Sequence, residues 1–219
     1  MVNELVCDAL LFDLDGVLID SSACIVRNWR VWAEPYGIDV AEIMKVAHGV
    51  RSVETIRQVA PHLDAEVEAA RLAALEMTNA DSVVAMPGAH ALLAALPADA
   101  WTIVTSGGAD LAKARLRAVG LPIPTTMVTA NDVMRGKPAP EPYLLGAKRL
   151  GVSPDRCLVV EDAPAGIQAG RAAGIRVLGV SSTHTRAELL EHGVTALVDR
   201  LAELAVGNSG ADSRLRLWW

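Results

Sequence analysis

The chain has 219 residues, of which 52% are hydrophobic and 21% are charged, and its formal net charge is −6. This composition excludes a largely disordered chain, and the length suits one domain with room for an insertion. The acidic balance disfavours a nucleic-acid binder, and no apolar run approaches the roughly 20 residues that a membrane span requires.

Short apolar runs of strand length recur along the chain. They predict strands over residues 7–13, 101–105, 125–129, 157–161, 175–180 and 195–198. Stretches with helical spacing lie between them, over residues 110–119, 141–150 and 163–173. Because strands alternate with helices, we predict an α/β fold with a doubly wound, Rossmann-like parallel sheet. Ligands of such sheets bind beyond the carboxyl ends of the strands, so functional residues should follow the strands.

One region interrupts this alternation. Residues 21–85 contain helical patterns and no convincing strand, so we predict an all-helical cap domain inserted after the first strand. The Rossmann-like core then comprises residues 1–20 and 86–207. The connections at residues 20–21 and 85–88 are placed to act as hinges of a lid. Residues 208–219 are interpreted as a polar tail, to which the sequence assigns no role.

The cysteines and the first residues indicate the cellular compartment. Cys7, Cys24 and Cys157 are widely spaced, which predicts reduced, buried thiols and neither a zinc site nor a disulfide framework. The first residues lack the cationic start and uncharged apolar stretch of a signal peptide. We therefore expect a cytoplasmic protein, a monomer or weak homo-oligomer, with no membrane or nucleic-acid partner.

The most informative motif is FDLDGVLID, residues 12–20, which sets Asp13 and Asp15 directly after the first predicted strand. Residues two apart on a strand point the same way, so both positions can address one site. Two adjacent carboxylates are stabilised by a divalent cation with oxygen ligands, which favours Mg²⁺. The alternative is a pair of turn or helix-capping aspartates, which are common.

A second motif, WTIVTSGG, ends a strand at Thr105 and continues into Ser106 and Gly107. The threonine hydroxyl and the free backbone amides at the start of the next helix form a natural cradle for phosphate oxygens. The alternative is that these residues only cap that helix.

Two further motifs follow later in the chain. In GKPAPEPYL, residues 136–144, Lys137 lies between a glycine and a proline, and a lysine held in this way suits a phosphate or a carboxylate cluster. In VVEDAPAGIQAG, residues 159–170, Glu161 and Asp162 end a strand and can complete a metal site. The simpler interpretations are a solvated loop lysine and acids that cap the next helix.

In this order, the four motifs resemble the haloacid dehalogenase superfamily, and the resemblance covers the chain from residue 8 to about residue 198. It implies a Rossmann-like core with a helical cap. It further implies that Asp13 is the nucleophile that takes up a phosphoryl group and that Asp15 is the acid and base. By the same resemblance, Thr105 and Lys137 hold the phosphoryl oxygens.

The resemblance also implies a bound Mg²⁺. Its ligands would be Asp13, the backbone carbonyl of Asp15, and Asp162. Glu161 would lie behind these ligands or reach the ion through water.

Positions that differ within the superfamily narrow the reaction. Haloacid dehalogenases lack an aspartate at the position of Asp15, and Lys45 lacks the context of the Schiff-base lysine found in a phosphonate-cleaving relative. Ile25 stands where similar sugar-phosphate mutases carry a histidine, so hydrolysis is favoured. The alternatives are a phosphosugar mutase of the beta-phosphoglucomutase type and a metabolite-binding protein without activity.

Residues 101–116, 129–151 and 159–175 are most similar to the glycerol-phosphate and sugar-phosphate phosphatases of the superfamily. This similarity implies a phosphoric monoester hydrolase whose partner is a small phosphate ester of a sugar or polyol. Ser106, Gly107 and the cap residue Arg51 are the substrate-binding candidates, although Arg51 can also be a surface arginine. Glu76 is a further candidate for substrate contact, and His48 is assigned to loop packing.

Overall fold

The computed structural model describes residues 3–208 and 214–219. The strands are β1 Glu4–Cys7, β2 Ala9–Phe12, β3 Ile19–Asp20, β4 Val84–Ala85, β5 Trp101–Val104, β6 Met127–Val128, β7 Cys157–Glu161, β8 Arg176–Val180, β9 Ala196–Val198, β10 Ala205–Asn208 and β11 Leu215–Trp218. The α-helices are α1 Ser22–Ala33, α2 Val40–Ala47, α3 Ser52–Val59, α4 Ala65–Thr78, α5 Ala89–Ala95, α6 Ala109–Ala118, α7 Glu141–Leu150, α8 Pro164–Ala172 and α9 Arg186–Glu191.

The largest sheet formed by the described residues has six parallel strands in the order β6-β5-β2-β7-β8-β9. Strand β2 is fully buried between β5 and β7, with Phe12 opposite Ile103 on one side and Val160 on the other. The next strand of this sheet along the chain, β5, lies on one side of β2, and the later strand β7 lies on the other side. The predicted α/β fold is therefore confirmed, and the strand order reverses at β2, where ligands of such sheets bind.

The alternation of side chains along β2 divides the core into two layers. Leu10 and Phe12 belong to a buried apolar cluster on one face of the sheet. Leu11 belongs to a second cluster on the other face, where α7 contributes Tyr143 and Ala147. Strands buried on both faces explain the continuous apolar runs in the sequence.

Helices α1 to α4 form the predicted helical insertion and have an apolar cluster of their own. Trp29, Trp32 and Leu72 are buried within it, and the indole of Trp32 donates a hydrogen bond of 2.9 Å to Glu68 Oε2. The short strands β3 and β4 pair antiparallel where the chain enters and leaves the insertion, a pairing that the sequence analysis did not predict. The exact limits of a cap domain, residues 21–85, remain a prediction.

The end of the chain differs from the expectation of a polar tail. Strand β11 lies between β1 and β10 in an antiparallel sheet of the described residues, and Leu215 and Leu217 are buried in the main core cluster. The sequence LRLW alternates apolar and polar residues, which is the pattern of a strand with one buried face. The predicted tail also includes residues 209–213, which lie outside the described residues.

The three thiols are free and buried, as the sequence predicts. Burial raises the pKa of Cys7 to about 12 and that of Cys157 to about 11, so these two side chains stay protonated and unreactive. Within residues 3–208 and 214–219, no helix combines the length and the hydropathy that crossing a bilayer requires.

Candidate active site

The carboxyl ends of β2, β5 and β7 open into a cavity of about 300 Å³ beneath the helical insertion. Both the core and the helices α1 to α4 contribute to its wall. Among its lining residues are eight that the sequence analysis selected as candidates for the site: Asp13, Asp15, Arg51, Glu76, Thr105, Ser106, Gly107 and Asp162. The structure therefore brings these residues to one place, while their individual roles stay predictions.

Two other candidates, Lys137 and Glu161, lie behind the cavity wall, and Lys137 is 1% exposed. Its Nζ atom is 2.5 Å from Asp13 Oδ1 and 2.7 Å from Glu161 Oε1. Tyr143 also donates a hydrogen bond of 2.7 Å to Glu161 Oε1, and its ring lies 5.0 Å from the lysine nitrogen. The interpretation as a solvated loop lysine is excluded, because burial and two carboxylates fix the ammonium beside Asp13.

Glu161 is completely enclosed and holds this arrangement together. Its second oxygen, Oε2, accepts hydrogen bonds from the backbone amides of Asp162 and Ala163 at the start of α8. A Cβ at position 166 would lie 1.6 Å from Glu161 Oε1, so only glycine leaves room for this carboxylate. With both oxygens engaged, Glu161 positions Lys137 and is placed behind the candidate metal ligands.

Asp162 presents the oxygen that suits a metal. Its Oδ2 accepts a hydrogen bond from the hydroxyl of Thr183, whereas its buried Oδ1 has no hydrogen-bond partner among the described residues. Carboxylate oxygens of Asp13, Glu161 and Asp162 lie within 4.8 Å of one another. Three buried acids beside one lysine leave an excess of negative charge, and an oxygen-rich set of this kind fits Mg²⁺.

The pKa values reflect this excess of charge. Burial raises the pKa of Asp13 to about 7, against the opposing effect of the Lys137 ammonium. Burial and the neighbouring carboxylates raise the pKa of Asp162 well above its ordinary value. Burial lowers the pKa of Lys137, but Asp13 and Glu161 outweigh burial and raise it above the ordinary value. A divalent cation would favour the ionised carboxylates.

The turn after β5 is arranged around Thr105, which is 4% exposed. Its Oγ1 accepts a hydrogen bond of 3.0 Å from the Gly107 amide, so the hydroxyl proton is free to be donated. Asn131 Oδ1, rather than Thr105, accepts from the first amide of α6. Ser106 donates to the carbonyl oxygen of Gly49 in the helical insertion. Thr105 is therefore available to a ligand, and Ser106 joins the core to the insertion.

Asp15 is held by two groups that the sequence analysis did not assign to the site. Its Oδ1 accepts hydrogen bonds of 2.6 Å from Ser21 Oγ and 2.7 Å from Arg115 Nη1. Arg115 lies on α6 and is 2% exposed, and its Nη2 is 3.8 Å from Glu76 Oε1 on α4. Arg115 thus pairs with both Asp15 and Glu76, and so connects the core to the helical insertion.

Arg51 lines the cavity, but its terminal nitrogens are engaged by the core. Nη1 donates to the carbonyl oxygen of Val133 at 3.0 Å, and Nη2 donates to Met134 O at 2.9 Å and to Glu54 at 2.6 Å. Glu54 also accepts from the backbone amide of Gly136, directly before Lys137. Arg51 therefore fastens the insertion to the loop that carries Lys137, and its contact with substrate stays a prediction.

The contacts of His48 agree with its assignment to loop packing. Its Nδ1 is 2.9 Å from Met44 O in the preceding turn, and its ring packs edge to face against His184, with centroids 5.3 Å apart.

Two residues of the site that the sequence analysis missed, Tyr143 and Arg115, could have been found from different features of the sequence. Tyr143 belongs to the motif that contains Lys137, so its proximity could have been suspected. Arg115 occupies the buried stripe of α6 with Leu111 and Leu116, and a charged residue in an apolar stripe indicates a specific partner. The partner itself, Asp15, lies 100 positions away in the chain.

Known proteins similar to this chain share one family. A family model described as haloacid dehalogenase-like hydrolase matches residues 10–180. Hexitol phosphatase A of Escherichia coli K12 is 44% identical over 184 residues, covering 80% of this chain and 84% of that protein. Glycerol-1-phosphate phosphohydrolase 2 of Saccharomyces cerevisiae is 36% identical over 219 residues, covering 94% and 87%, respectively. The crystal structure of a hydrolase from Pseudomonas syringae has a TM-score of 0.80 at 29% identity, covering 89% of this chain and 94% of that chain. These findings confirm the resemblance carried by the four motifs.

Proposed function

Because the chain belongs to the haloacid dehalogenase-like hydrolases, we propose that it is a magnesium-dependent phosphatase for a small sugar or polyol monophosphate. The observation that carries this proposal is the buried Asp13 carboxylate at the end of β2, with Lys137 Nζ at 2.5 Å. Relatives named as a hexitol phosphatase and a glycerol-1-phosphate phosphohydrolase support hydrolysis of a phosphoric monoester and the substrate class.

The first chemical step uses Asp13 and Asp15. A carboxylate oxygen of Asp13 attacks phosphorus, and the bond between phosphorus and the ester oxygen breaks. Asp15 donates its proton to that oxygen, so the alcohol leaves neutral. The lysine bonded to Asp13 Oδ1 leaves the other carboxylate oxygen for attack and offsets negative charge on the phosphoryl group.

The second step regenerates the enzyme. Asp15, now a carboxylate, takes a proton from water, and the water oxygen attacks phosphorus. The bond between phosphorus and Asp13 breaks, which releases inorganic phosphate. Throughout both steps the Thr105 hydroxyl donates to a phosphoryl oxygen, and the loop residues Ser106 and Gly107 shape the pocket around the phosphoryl group.

The candidate ligands of Mg²⁺ are the carboxylates of Asp13 and Asp162 and the backbone carbonyl of Asp15. The unpartnered Oδ1 of Asp162 supports this assignment. When bound, the ion would offset the repulsion between the nucleophilic carboxylate and an anionic phosphate ester. Glu161 would keep its contacts with Lys137 and Tyr143 and remain behind the ligands.

Hydrolysis is favoured over the mutase reaction. A mutase must keep water from the phosphoenzyme and return the phosphoryl group to a sugar hydroxyl. Ile25 lines the cavity at the position where similar mutases carry a histidine, and an isoleucine supplies no proton donor there. Release of free phosphate, rather than formation of an isomeric sugar phosphate, is therefore expected.

The proposal is tested by replacing the nucleophile. With Mg²⁺ and a hexitol phosphate, Asp13→Asn should lower the turnover number at least about 10³-fold while thermal unfolding remains cooperative. Rapid acid quenching of the wild-type reaction should give a phosphorylated peptide that contains Asp13. Asp99→Asn is the matched control, because Asp99 is exposed and precedes β5 at the opposite end of that strand.

Three results would contradict the proposal. Retained activity in Asp13→Asn excludes this residue as the nucleophile. An isomeric sugar phosphate without free phosphate indicates a mutase. Binding of phosphate esters with no turnover by the wild-type protein indicates a metabolite-binding protein.

A further inference from the structure

Arg115 connects the core to the helical insertion at the edge of the cavity. It lies on α6, and its Nη1 is 2.7 Å from Asp15 Oδ1. Its Nη2 faces Glu76 on α4 at 3.8 Å from Oε1, which is too long for a hydrogen bond. The side chains of Arg115 and Glu76 are 3% and 15% exposed, and both residues line the cavity.

The guanidinium of Arg115 is incompletely bonded. Its Nε and Nη2 atoms are buried and have no hydrogen-bond partner among the described residues. Buried donors in native proteins nearly always have a partner, because an unpaired one costs about 1–3 kcal/mol. Two unpaired donors at a cavity wall indicate a ligand that brings oxygen atoms to this place.

We propose that Arg115 and Glu76 form the subsite for the hydroxyl groups of the leaving alcohol, an inference that rests on the proposed function. Asp15 protonates the ester oxygen, so the groups beside Asp15 face the carbon atoms next to that oxygen. The free N–H groups of Arg115 donate to a hydroxyl oxygen of the alcohol. The Glu76 carboxylate accepts the proton of the same or a neighbouring hydroxyl group.

The charges at this subsite select neutral hydroxyl groups. Asp15 is protonated when the ester binds, so the charge that faces the Arg115 guanidinium is that of Glu76, and the two offset each other above about pH 7. A second phosphate or a carboxylate on the substrate would be repelled by the Glu76 carboxylate. A simple alkyl alcohol would leave the Arg115 donors unpaired. The inferred substrate class is a monophosphate ester whose alcohol carries hydroxyl groups near the ester oxygen.

The test compares esters that differ only in hydroxyl groups. Glycerol 1-phosphate and a hexitol 6-phosphate are each paired with their hydroxyl-free counterparts, n-propyl phosphate and n-hexyl phosphate. All four have primary alcohol leaving groups, and the effect of vicinal hydroxyl groups on leaving-group reactivity is the same in the wild type and the variants, so the change in preference on substitution reports the subsite. The wild-type enzyme should prefer at least one polyol ester over its counterpart by about 10-fold or more in kcat/KM.

Glu76→Ala should reduce that preference to less than about 3-fold, mainly by raising KM for the polyol ester. Glu76→Gln retains an acceptor oxygen and should restore most of the preference. Glu66→Ala, on the same helix, is the matched control, because Glu66 is exposed and pairs with Arg57 on the surface. Arg115→Lys should lower kcat/KM for both kinds of ester through Asp15, and more strongly for the polyol ester.

The outcomes separate this inference from the proposed function. Hydrolysis of both kinds of ester without a preference in the wild type overturns the subsite and leaves the phosphatase. Equal losses for polyol and alkyl esters in Glu76→Ala, with an unchanged melting temperature, also overturn the subsite and assign Glu76 to general positioning. Hydrolysis of none of the four esters overturns both.

Discussion

Replacement of Tyr143 by phenylalanine tests the network that supports Asp13. The phenol donates a hydrogen bond of 2.7 Å to Glu161 Oε1, and both side chains are fully buried. Phenylalanine preserves the packing of the ring and removes one donor from a carboxylate that water does not reach. Since hydrogen bonds to charged groups contribute about 1.5–3 kcal/mol, the free energy of unfolding should fall by about 2 kcal/mol. For a chain of this length the melting temperature should fall by about 4–8 °C.

Urea denaturation followed by circular dichroism at pH 7 measures this loss, with Mg²⁺ omitted so that metal binding does not contribute. The other tyrosine of the chain provides the control. The Tyr36 hydroxyl accepts a hydrogen bond from Arg71 and also faces the Glu68 carboxylate, but it does so near the surface, where water replaces a lost partner. Tyr36→Phe should therefore change the free energy of unfolding by less than about 1 kcal/mol. A similarly small change in Tyr143→Phe would refute the view that Glu161 depends on this hydrogen bond.

Three further predictions concern the same site. Gly166→Ala would place a Cβ 1.6 Å from Glu161 Oε1, so it should destabilise the fold by about 3 kcal/mol or more and reduce phosphatase activity. Wild-type stability and activity in this variant would contradict the view that Glu161 needs the space that Gly166 leaves. Burial raises the pKa of Glu76 from 4.5 to about 7, so the folded chain keeps a proton that the unfolded chain releases, and stability falls as pH rises through this window. Between pH 5 and pH 8, the free energy of unfolding of Glu76→Gln should therefore rise by about 2.5 kcal/mol relative to that of the wild type. A difference in urea denaturation that does not change with pH would count against the shifted pKa. Because the pKa of Asp13 is raised to about 7 by burial, protons compete with a metal ion there, and Mg²⁺ should raise the melting temperature more at pH 8 than at pH 5.5. Asp162→Asn should remove most of that rise, and an equal rise in this variant would exclude Asp162 as a ligand.

Most of the sheet was predictable because its central strands β2, β5 and β7 are buried on both faces and leave continuous apolar runs in the sequence. The predicted strand 157–161 and helix 141–150 coincide with β7 and α7. Glycine and proline residues mark the ends of strands and helices locally in the sequence. The short strand at 215–218 was missed, because its alternating pattern covers four residues and its partners lie at residues 4–7 and 205–208.

The candidate site was predictable to the extent that it depends on strand ends. Asp13, Thr105 and Asp162 each follow a strand, and parallel strands bring their carboxyl ends to one edge. The sequence could not show that Arg51 contacts the backbone at residues 133 and 134, because that contact depends on how the helical insertion lies on the core.

By itself, the sequence determined the parallel sheet, the helical insertion and the residues at the functional edge of the sheet. Side-chain periodicity and the order of the motifs are local properties that a chain carries before it folds. Tertiary structure alone decided that Arg115 meets Asp15 and Glu76, and that Tyr143 meets Glu161. These partners are chosen by the packing of helices against the sheet, where burial makes an unpaired charge or hydroxyl costly and so selects the arrangement that pairs them.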